Sequence, residues 1–201
     1  MIRVLSKSAA LFALATMVAA PAFAQDQAAP VTPVLAKTLA PARSGAARLL
    51  VTSTSFIAGD SIPDQFTQNG ENMSPTLRWA KGPAGTLSYV VLVEDSGVSR
   101  AEPIVHWVVY DIPGTMTTLP AGIGKDPTLE SGAMQGKNIR GEIGYIGPKP
   151  PAGQTHPYHF QVFALNGRVR LEPGADRNAV VAAMKGKVIA LGDLIVNYTG
   201  K

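Results

Sequence analysis

One stretch of the sequence combines residues that could bind a small polar ligand. Residues Tyr145–Leu165 join a Gly/Pro-rich loop to an apolar segment that begins at a histidine. Prolines fix φ and remove N–H donors, so the loop is not helical and is expected to form a rigid rim. The apolar segment alternates with a period of two, which places His156 and Tyr158 on the same face as Phe160. A polar pair at the rim of an apolar wall is typical of a small-ligand pocket.

Two further polar residues stand at the ends of other apolar segments. Asp95 follows the apolar run 88–93, and His106 lies near the start of the run 104–112. If these segments meet, Asp95, His106 and His156 line one cavity. The imidazoles could then donate hydrogen bonds to a phosphoryl or carboxylate group. The alternative is that each histidine only satisfies a nearby backbone carbonyl.

Metal and hydrolytic chemistry have weaker support. Period two places His159 on the face opposite His156, so a His-x-x-His metal site would need ligands that point apart. No G-x-S-x-G nucleophile elbow is present, and no serine has a base that the sequence identifies. General acid–base catalysis by Asp95 and a histidine is the weakest hypothesis. We therefore expect no metal, no cofactor and no catalytic residue.

The first 24 residues predict a cleaved signal peptide. Arg3 and Lys7 precede an apolar run at 9–20, and Ala22-Phe23-Ala24 is typical of a cleavage site. The run is too short to span a bilayer, which disfavours an uncleaved anchor. Cleavage after Ala24 predicts a periplasmic or secreted protein that is not integral to the membrane.

Composition limits the remaining function classes. Cleavage would remove two positive charges from a formal net charge of +4, and the other Lys and Arg residues are dispersed, which argues against nucleic-acid binding. The chain has no cysteine, so an exported domain would depend on its apolar core alone. Residues 25–47 are Ala/Pro-rich and predict a flexible linker, and 48–201 predict one folded domain.

The pattern of predicted elements indicates an all-β dominated fold. Many short strands are divided by Gly/Pro turns, and one late helix is predicted from Asp176 to Lys185 with Asp176 as its N-cap. We expect an antiparallel β-sandwich with a C-terminal helix. Alternation in the strand 104–112 places His106 on the same face as Val108 and Tyr110. The long loop 115–144 is expected to help build the site.

Several motifs in this order resemble those of a known family. They are the segments Gly70–Pro75, Val93–Asp95, Val105–Pro113, Gly136–Asn138, Gly144–Pro151 and His156–Phe160. Together they resemble the phosphatidylethanolamine-binding protein family, in its bacterial branch of Raf-kinase-inhibitor-like proteins. The resemblance covers roughly residues 53–198.

The resemblance implies an antiparallel β-sandwich with a small anion-binding pocket near one end, of a kind that takes a phospholipid head group. The family's pocket residues fall on Asp95, His106, Pro150, Pro151, His156 and Tyr158. Lys149 and Gly147 in the Gly/Pro loop are further candidates.

Two departures from the family pattern concern this pocket. The family's D-P-D-x-P loop reads Asp95-Ser96-Gly97-Val98-Ser99 here, so the second aspartate is Gly97 and both prolines are lost. Lys149 stands where relatives commonly carry a small residue or a cysteine. This lysine is expected to make the pocket more positive and to tighten anion binding; the alternatives are a solvated lysine on the rim and a site that has degenerated.

The leading hypothesis is an exported, non-catalytic binding protein for a small anion, either a phosphoryl head group or a carboxylate. His106 and His156 would donate, Tyr158 would contribute its hydroxyl, and Asp95 would orient an imidazole. Affinity should then fall as pH rises and the imidazoles lose charge. A second hypothesis is a protein–protein regulator that inhibits a periplasmic enzyme, such as a kinase or peptidase. The third is the Asp/His hydrolase.

Overall fold

The computed structural model describes Leu35 and residues 47–201. The predicted signal peptide, 1–24, and most of the 25–47 segment lie outside the described residues. The described elements are β1 Ala47–Arg48, β2 Val51–Thr52, a 3-10 turn Asp64–Phe66, β3 Leu77–Trp79, β4 Ser88–Asp95, β5 Ile104–Pro113, β6 Thr118–Leu119, β7 Met134–Gln135, β8 Thr155–Leu165, α1 Arg177–Met184 and β9 Val188–Thr199.

The main sheet has six strands in the order β1-β9-β8-β4-β5-β7. Its four long strands are rich in Val, Ile, Tyr and Phe, which suit a pleated and buried surface. β8 pairs antiparallel with both β4 and β9 along its length, and only the short β1 pairs parallel, with β9. β8 is therefore covered by a strand on each side, so its side chains take fixed positions on the two faces of the sheet.

The two faces of the main sheet are buried by different partners. On the face called the front here, Val91, Trp107 and Phe160 pack with the three-stranded sheet β2-β3-β6 through residues such as Leu77 and Leu119. On the back face, a second cluster joins Val90, Leu92 and Phe163 to Val180 and Met184 of α1. The prediction of an all-β dominated sandwich with a C-terminal helix is confirmed.

Helix α1 begins as its sequence predicts. The side chain of Asp176 accepts a hydrogen bond from the Ala179 N–H at 2.8 Å, which satisfies one of the unpaired donors of the first turn. Gly186 follows the last turn with a positive φ of 72°, a conformation that glycine adopts without steric cost. The helix thus has a capped start and a glycine just beyond its end.

Two residues of the predicted 25–47 linker are described, and both are ordered against the sheet. Leu35 lies in the back-face cluster with 5 % exposure, and its N–H donates to a Glu94 carboxylate oxygen at 3.1 Å. Ala47 belongs to β1 and pairs with Ala190. Flexibility of the rest of the segment stays a prediction.

An irregularity in β5 decides where His106 lies. Val93 pairs with Trp107, but the next residue of β4, Glu94, pairs with Val105. His106 is therefore the extra residue of a β-bulge, which breaks the period-two alternation. The prediction that His106 shares a face with Val108 and Tyr110 is wrong, because the bulge turns His106 to the front face beside Tyr158, with ring centroids 5.2 Å apart.

Candidate functional site

A cavity of about 530 Å³ opens where β4, β5 and β8 present their polar ends. Seven of the eight residues that the sequence analysis selected line it: Asp95, His106, Lys149, Pro150, Pro151, His156 and Tyr158. The antiparallel pairing explains why they meet, since Asp95 at the end of β4 lies opposite Tyr158 near the start of β8. The bulge in β5 adds His106 from the other side.

Asp95 holds the imidazole of His156. The His156 Nδ1 atom lies 2.8 Å from Asp95 Oδ2, and both side chains are almost fully buried. Because a carboxylate oxygen only accepts, Nδ1 carries the proton and donates. His156 Nε2 then remains for the cavity, where the nearest amide, that of Gln154, is 3.4 Å away. A ring held in this way can present a hydrogen bond in one fixed direction.

Gly97 packs flat against the same ring. A Cβ atom at this position would lie 2.6 Å from Cγ of His156, which no real side chain tolerates. The Gly97 N–H also donates to Asp95 Oδ1 at 2.7 Å. The absence of a side chain at Gly97 therefore makes room for the imidazole in its present position, and the turn packs directly against the ring.

His106 differs from His156 in the group that binds its Nδ1 atom. This nitrogen donates to the Ile146 carbonyl oxygen, 2.7 Å away. Burial lowers the pKa of His106 below its ordinary value, and the backbone hydrogen bond and the Asp95 charge only partly oppose this effect. A neutral ring that donates through Nδ1 has a lone pair on Nε2. His106 therefore offers an acceptor to the cavity near neutral pH, whereas the sequence analysis expected a donor.

Tyr158 supplies a hydroxyl that stays protonated. Burial, and next to it the charge of Asp95, raise the pKa of the phenol far above its ordinary value. The ring is 1 % exposed and packs edge-on against His106 at an interplanar angle of 83°. A hydrogen bond with the Asp95 side chain adds to this rise, so Tyr158 is a neutral hydroxyl at the base of the cavity that also contacts the Asp95 carboxylate.

Two cationic side chains lie on the rim. Lys149 is exposed and stands between Pro148 and Pro150 of the rim loop. Arg140 is also exposed, and its Nη2 donates to Gln68 Oε1 at 2.6 Å. Gln68 in turn donates through Nε2 to the Gly147 carbonyl at 2.6 Å, so the guanidinium is linked to the Gly/Pro loop. The rim is therefore positive, while Asp95 is already engaged by His156.

Gly147 is the one selected residue that does not line the cavity. Its N–H donates to Asn72 Oδ1 at 2.6 Å, and a Cβ here would lie 2.5 Å from the Phe66 carbonyl oxygen. Gly147 therefore allows the rim loop to pack closely on the segment around Phe66, which is a structural role. Its selection as a possible ligand residue stays a prediction, which the cavity lining does not support.

Arg140 and Gln68 also line the cavity but were not among the residues predicted from the sequence, although the chain carries signals for both. Arg140 lies in the long loop that was expected to help build the site, two residues after the Gly136–Asn138 motif. There the Asn138 side chain accepts from the Arg140 N–H at 2.9 Å and shapes the loop. Gln68 lies in a polar turn just before the Gly70–Pro75 motif. Neither residue could be assigned to the cavity without knowing how these loops fold back.

The described residues contain no group of three His, Asp or Glu side chains that could hold a metal ion. Likewise, no helix within Leu35 and 47–201 is long and apolar enough to cross a membrane.

Known proteins share both the sequence pattern and the fold. A UPF0098 protein of Aquifex aeolicus is 40 % identical over 157 residues, which is 77 % of this chain and 91 % of the relative. The crystal structure of Escherichia coli YbcL, described as a member of the mammalian PEBP family, has a TM-score of 0.71 at 32 % identity and covers 77 % of this chain and all of YbcL. A phosphatidylethanolamine-binding protein homolog from Chlamydia trachomatis has a TM-score of 0.68 at 31 % identity, over 77 % of this chain and 99 % of the homolog.

A family model gives the same result over most of the folded domain. The model described as phosphatidylethanolamine-binding protein matches residues 52–199, which include every selected cavity residue. The sandwich, the order of the motifs and the two solved relatives agree with this match. The chain therefore belongs to the phosphatidylethanolamine-binding protein family.

Proposed function

We propose that this protein is an exported, non-catalytic binding protein whose cavity takes a small anion that carries a phosphoryl or carboxylate group. The observation that carries the proposal is the convergence of Arg140, Lys149, His156 and Tyr158 on one cavity of about 530 Å³. Two permanent cations lie at its rim and two ring-borne polar groups at its base, an arrangement that suits an anion with several acceptor oxygens.

The buried aspartate does not oppose this function. Asp95 Oδ2 accepts from His156 Nδ1, and Asp95 Oδ1 accepts from the Gly97 N–H. Both oxygens are therefore satisfied by the protein, and the carboxylate orients the imidazole. The ligand meets the Nε2 edge of the ring, which donates to an anion when the imidazole carries both protons, and the other donors along the cavity belong to Arg140 and Lys149.

His106 shapes which anion fits best. Its Nε2 acceptor favours a ligand that itself carries a proton, such as a monohydrogen phosphate or a phosphoethanolamine ammonium group. A phosphomonoester with a nearby donor therefore satisfies the cavity more completely than a fully ionised sulfate does. This preference narrows the proposed ligand from any small anion to a phosphoryl compound that carries a hydrogen-bond donor.

Isothermal titration tests the proposal with defined probes. Phosphoethanolamine and inorganic phosphate are titrated into the wild type, the Arg140→Gln/Lys149→Gln double variant, and a Lys81→Gln control with an exposed lysine outside the cavity lining. We expect binding to the wild type and the control and weaker binding to the double variant, by up to roughly thirtyfold if each cation contributes up to about 1 kcal/mol. Equal affinities for all three proteins, or no binding of either probe, would contradict the proposal.

We also propose that the chain is exported and that cleavage follows Ala24. The support is the basic start, the short apolar run and the Ala22-Phe23-Ala24 pattern. Intact-mass measurement of the protein recovered from a bacterial host decides this point. The mature chain should begin at Gln25 and appear in the periplasmic fraction; recovery of the full-length chain from the cytoplasm would contradict export.

A further inference from the structure

A second polar group of side chains lies on the back face of the sheet, outside the cavity. Ser96 Oγ is 3.1 Å from His159 Nε2, and His159 Nδ1 is 2.7 Å from Asp193 Oδ2. The carboxylate can only accept, so Nδ1 carries the proton, and Nε2 of the neutral ring accepts from the serine hydroxyl. The hydrogen bonds run in one direction, because Ser96 donates to His159 and His159 donates to Asp193. They connect the residue that follows β4 to β8 and then to β9.

The order of these bonds is that of a nucleophilic Ser-His-Asp triad, but burial opposes that function. Ser96 has 0 % exposure and His159 has 2 %. Ser96 is also not part of the cavity wall. A substrate carbonyl therefore has no path to the serine Oγ in this conformation, and the chain of bonds needs another explanation.

The position of Ser96 supplies that explanation. It lies between Asp95 and Gly97, the two residues that hold the His156 ring on the front face. The Ser96 N–H donates to the Pro157 carbonyl at 3.2 Å, and its hydroxyl reaches His159. β8 thus holds the turn from both faces of the sheet, with His156 bonded to Asp95 and His159 bonded to the adjacent Ser96.

We propose that Ser96, His159 and Asp193 form a positioning relay that fixes the 95–97 turn and thereby sets the orientation of His156 in the cavity. Without the serine hydroxyl, His159 Nε2 is left unpaired in a buried site and the turn keeps a single backbone bond to β8 at residue 96. Gly97 then moves relative to the His156 ring that it packs against. The inference rests on the proposed function, because it concerns how the same cavity is built.

The test compares Ser96→Ala with a matched control, Ser88→Ala. Ser88 is the first residue of β4, is 1 % exposed, and donates one part-buried hydrogen bond to the Gly167 carbonyl at 2.6 Å. Both variants remove the same atoms, but only Ser96 adjoins the cavity turn. The readouts are the nitrogen-15 NMR shifts of the His156 ring in the ligand-free protein and the affinity for inorganic phosphate.

We expect both variants to unfold at a lower temperature than the wild type, while only Ser96→Ala shifts the His156 ring signals. Phosphate binding should weaken by about fivefold in Ser96→Ala, the factor that one ordinary hydrogen bond represents, and stay unchanged in Ser88→Ala. Unchanged His156 signals in Ser96→Ala, or equal shifts in both variants, would overturn the relay.

Two design features separate failure of the relay from other failures. If Ser96→Ala does not fold, Ser96→Cys keeps nearly the same volume with a weaker donor and should shift the His156 signals in the same direction. If phosphate binds neither the wild type nor any variant, the proposed function fails, and the ligand-free NMR comparison still decides whether Ser96 positions His156.

Discussion

Asp95 and His156 are joined by a hydrogen bond of 2.8 Å between Oδ2 and Nδ1, although 61 positions separate them in the sequence. The bond spans two neighbouring antiparallel strands, and both side chains are buried. It fixes which nitrogen of the ring faces the cavity.

Gly97→Ala should displace the His156 ring. The new Cβ would lie 2.6 Å from Cγ of the imidazole, so the ring or the turn must move. We expect a loss of about 1–3 kcal/mol in the free energy of unfolding, as for other overpacked sites, together with weaker phosphate binding. Urea unfolding and calorimetric titration measure the two effects. Gly124→Ala is the control, because its nearest atom would be 3.9 Å away; equal behaviour of the two variants would contradict the steric argument.

His106 should make the protein less stable in mild acid. Its pKa is lowered in the folded state, mainly by burial, so the unfolded chain binds a proton that the folded chain resists. The stability that neutral His106 contributes is fully present well above the ordinary histidine pKa of about 6.5, and it is lost as pH falls from there toward the lowered pKa of the folded state. One proton changes the free energy of unfolding by at most about 1.4 kcal/mol per pH unit.

His106→Asn isolates this effect, since the asparagine amide can still donate to the Ile146 carbonyl. The free energy of unfolding in urea is compared at pH 7.5 and pH 5.5 for both proteins. All other titrating groups are shared, so the difference between the two profiles reports His106. We expect the variant to lose less stability than the wild type; parallel profiles would show that His106 protonates freely in the folded state.

Tyr158→Phe should weaken anion binding while keeping the fold. The ring that packs against His106 remains, and only the hydroxyl at the base of the cavity is lost. We expect a reduction in phosphate affinity of about two- to tenfold, the range for one hydrogen bond. The control is Tyr145→Phe, because that hydroxyl donates to the Phe66 carbonyl at 2.8 Å and does not line the cavity. Tyr145→Phe should lower the free energy of unfolding and leave the phosphate affinity unchanged. Weaker phosphate binding by Tyr145→Phe, with unchanged binding by Tyr158→Phe, would refute the role given to the Tyr158 hydroxyl.

Arg177→Leu should be strongly destabilising because it leaves a buried charge without its ionic partner. Glu94 is fully buried and accepts from Arg177 Nε at 2.7 Å, which ties α1 to the back face of the sheet. Breaking such a pair costs about 3–5 kcal/mol, and Glu94→Gln in the same protein should recover part of it.

The exposed pair Lys125–Glu142 provides the comparison for Arg177→Leu. Its side chains are 60 % and 46 % exposed, so Lys125→Ala should cost less than about 1 kcal/mol. Urea unfolding measures both variants. If Arg177→Leu and Lys125→Ala lowered the free energy of unfolding by similar amounts, the buried Glu94 carboxylate would not need Arg177 as its ionic partner.

Much of the fold follows from local patterns in the sequence. An unbroken apolar run indicated β4, period two in β8 separated His156 from His159, and Asp176 marked the start of α1. These signals are local, because a strand's two faces and a helix cap depend on residues only a few positions apart. Periodicity gave little information about the loops. Arg140 and Gln68 reach the cavity from such loops, through contacts between distant segments that a repeating pattern of apolar residues does not predict.

The sequence by itself determined the class of fold, the family motifs and five of the nine polar residues that line the cavity. Only the tertiary structure decided that His106 leaves the alternation of β5 at a bulge, that Gly147 serves packing, and that Ser96 pairs with His159 behind the cavity. The physical reason is that register shifts and bonds between distant segments depend on which strands become neighbours. A residue's own type and its near neighbours in the chain do not contain that information.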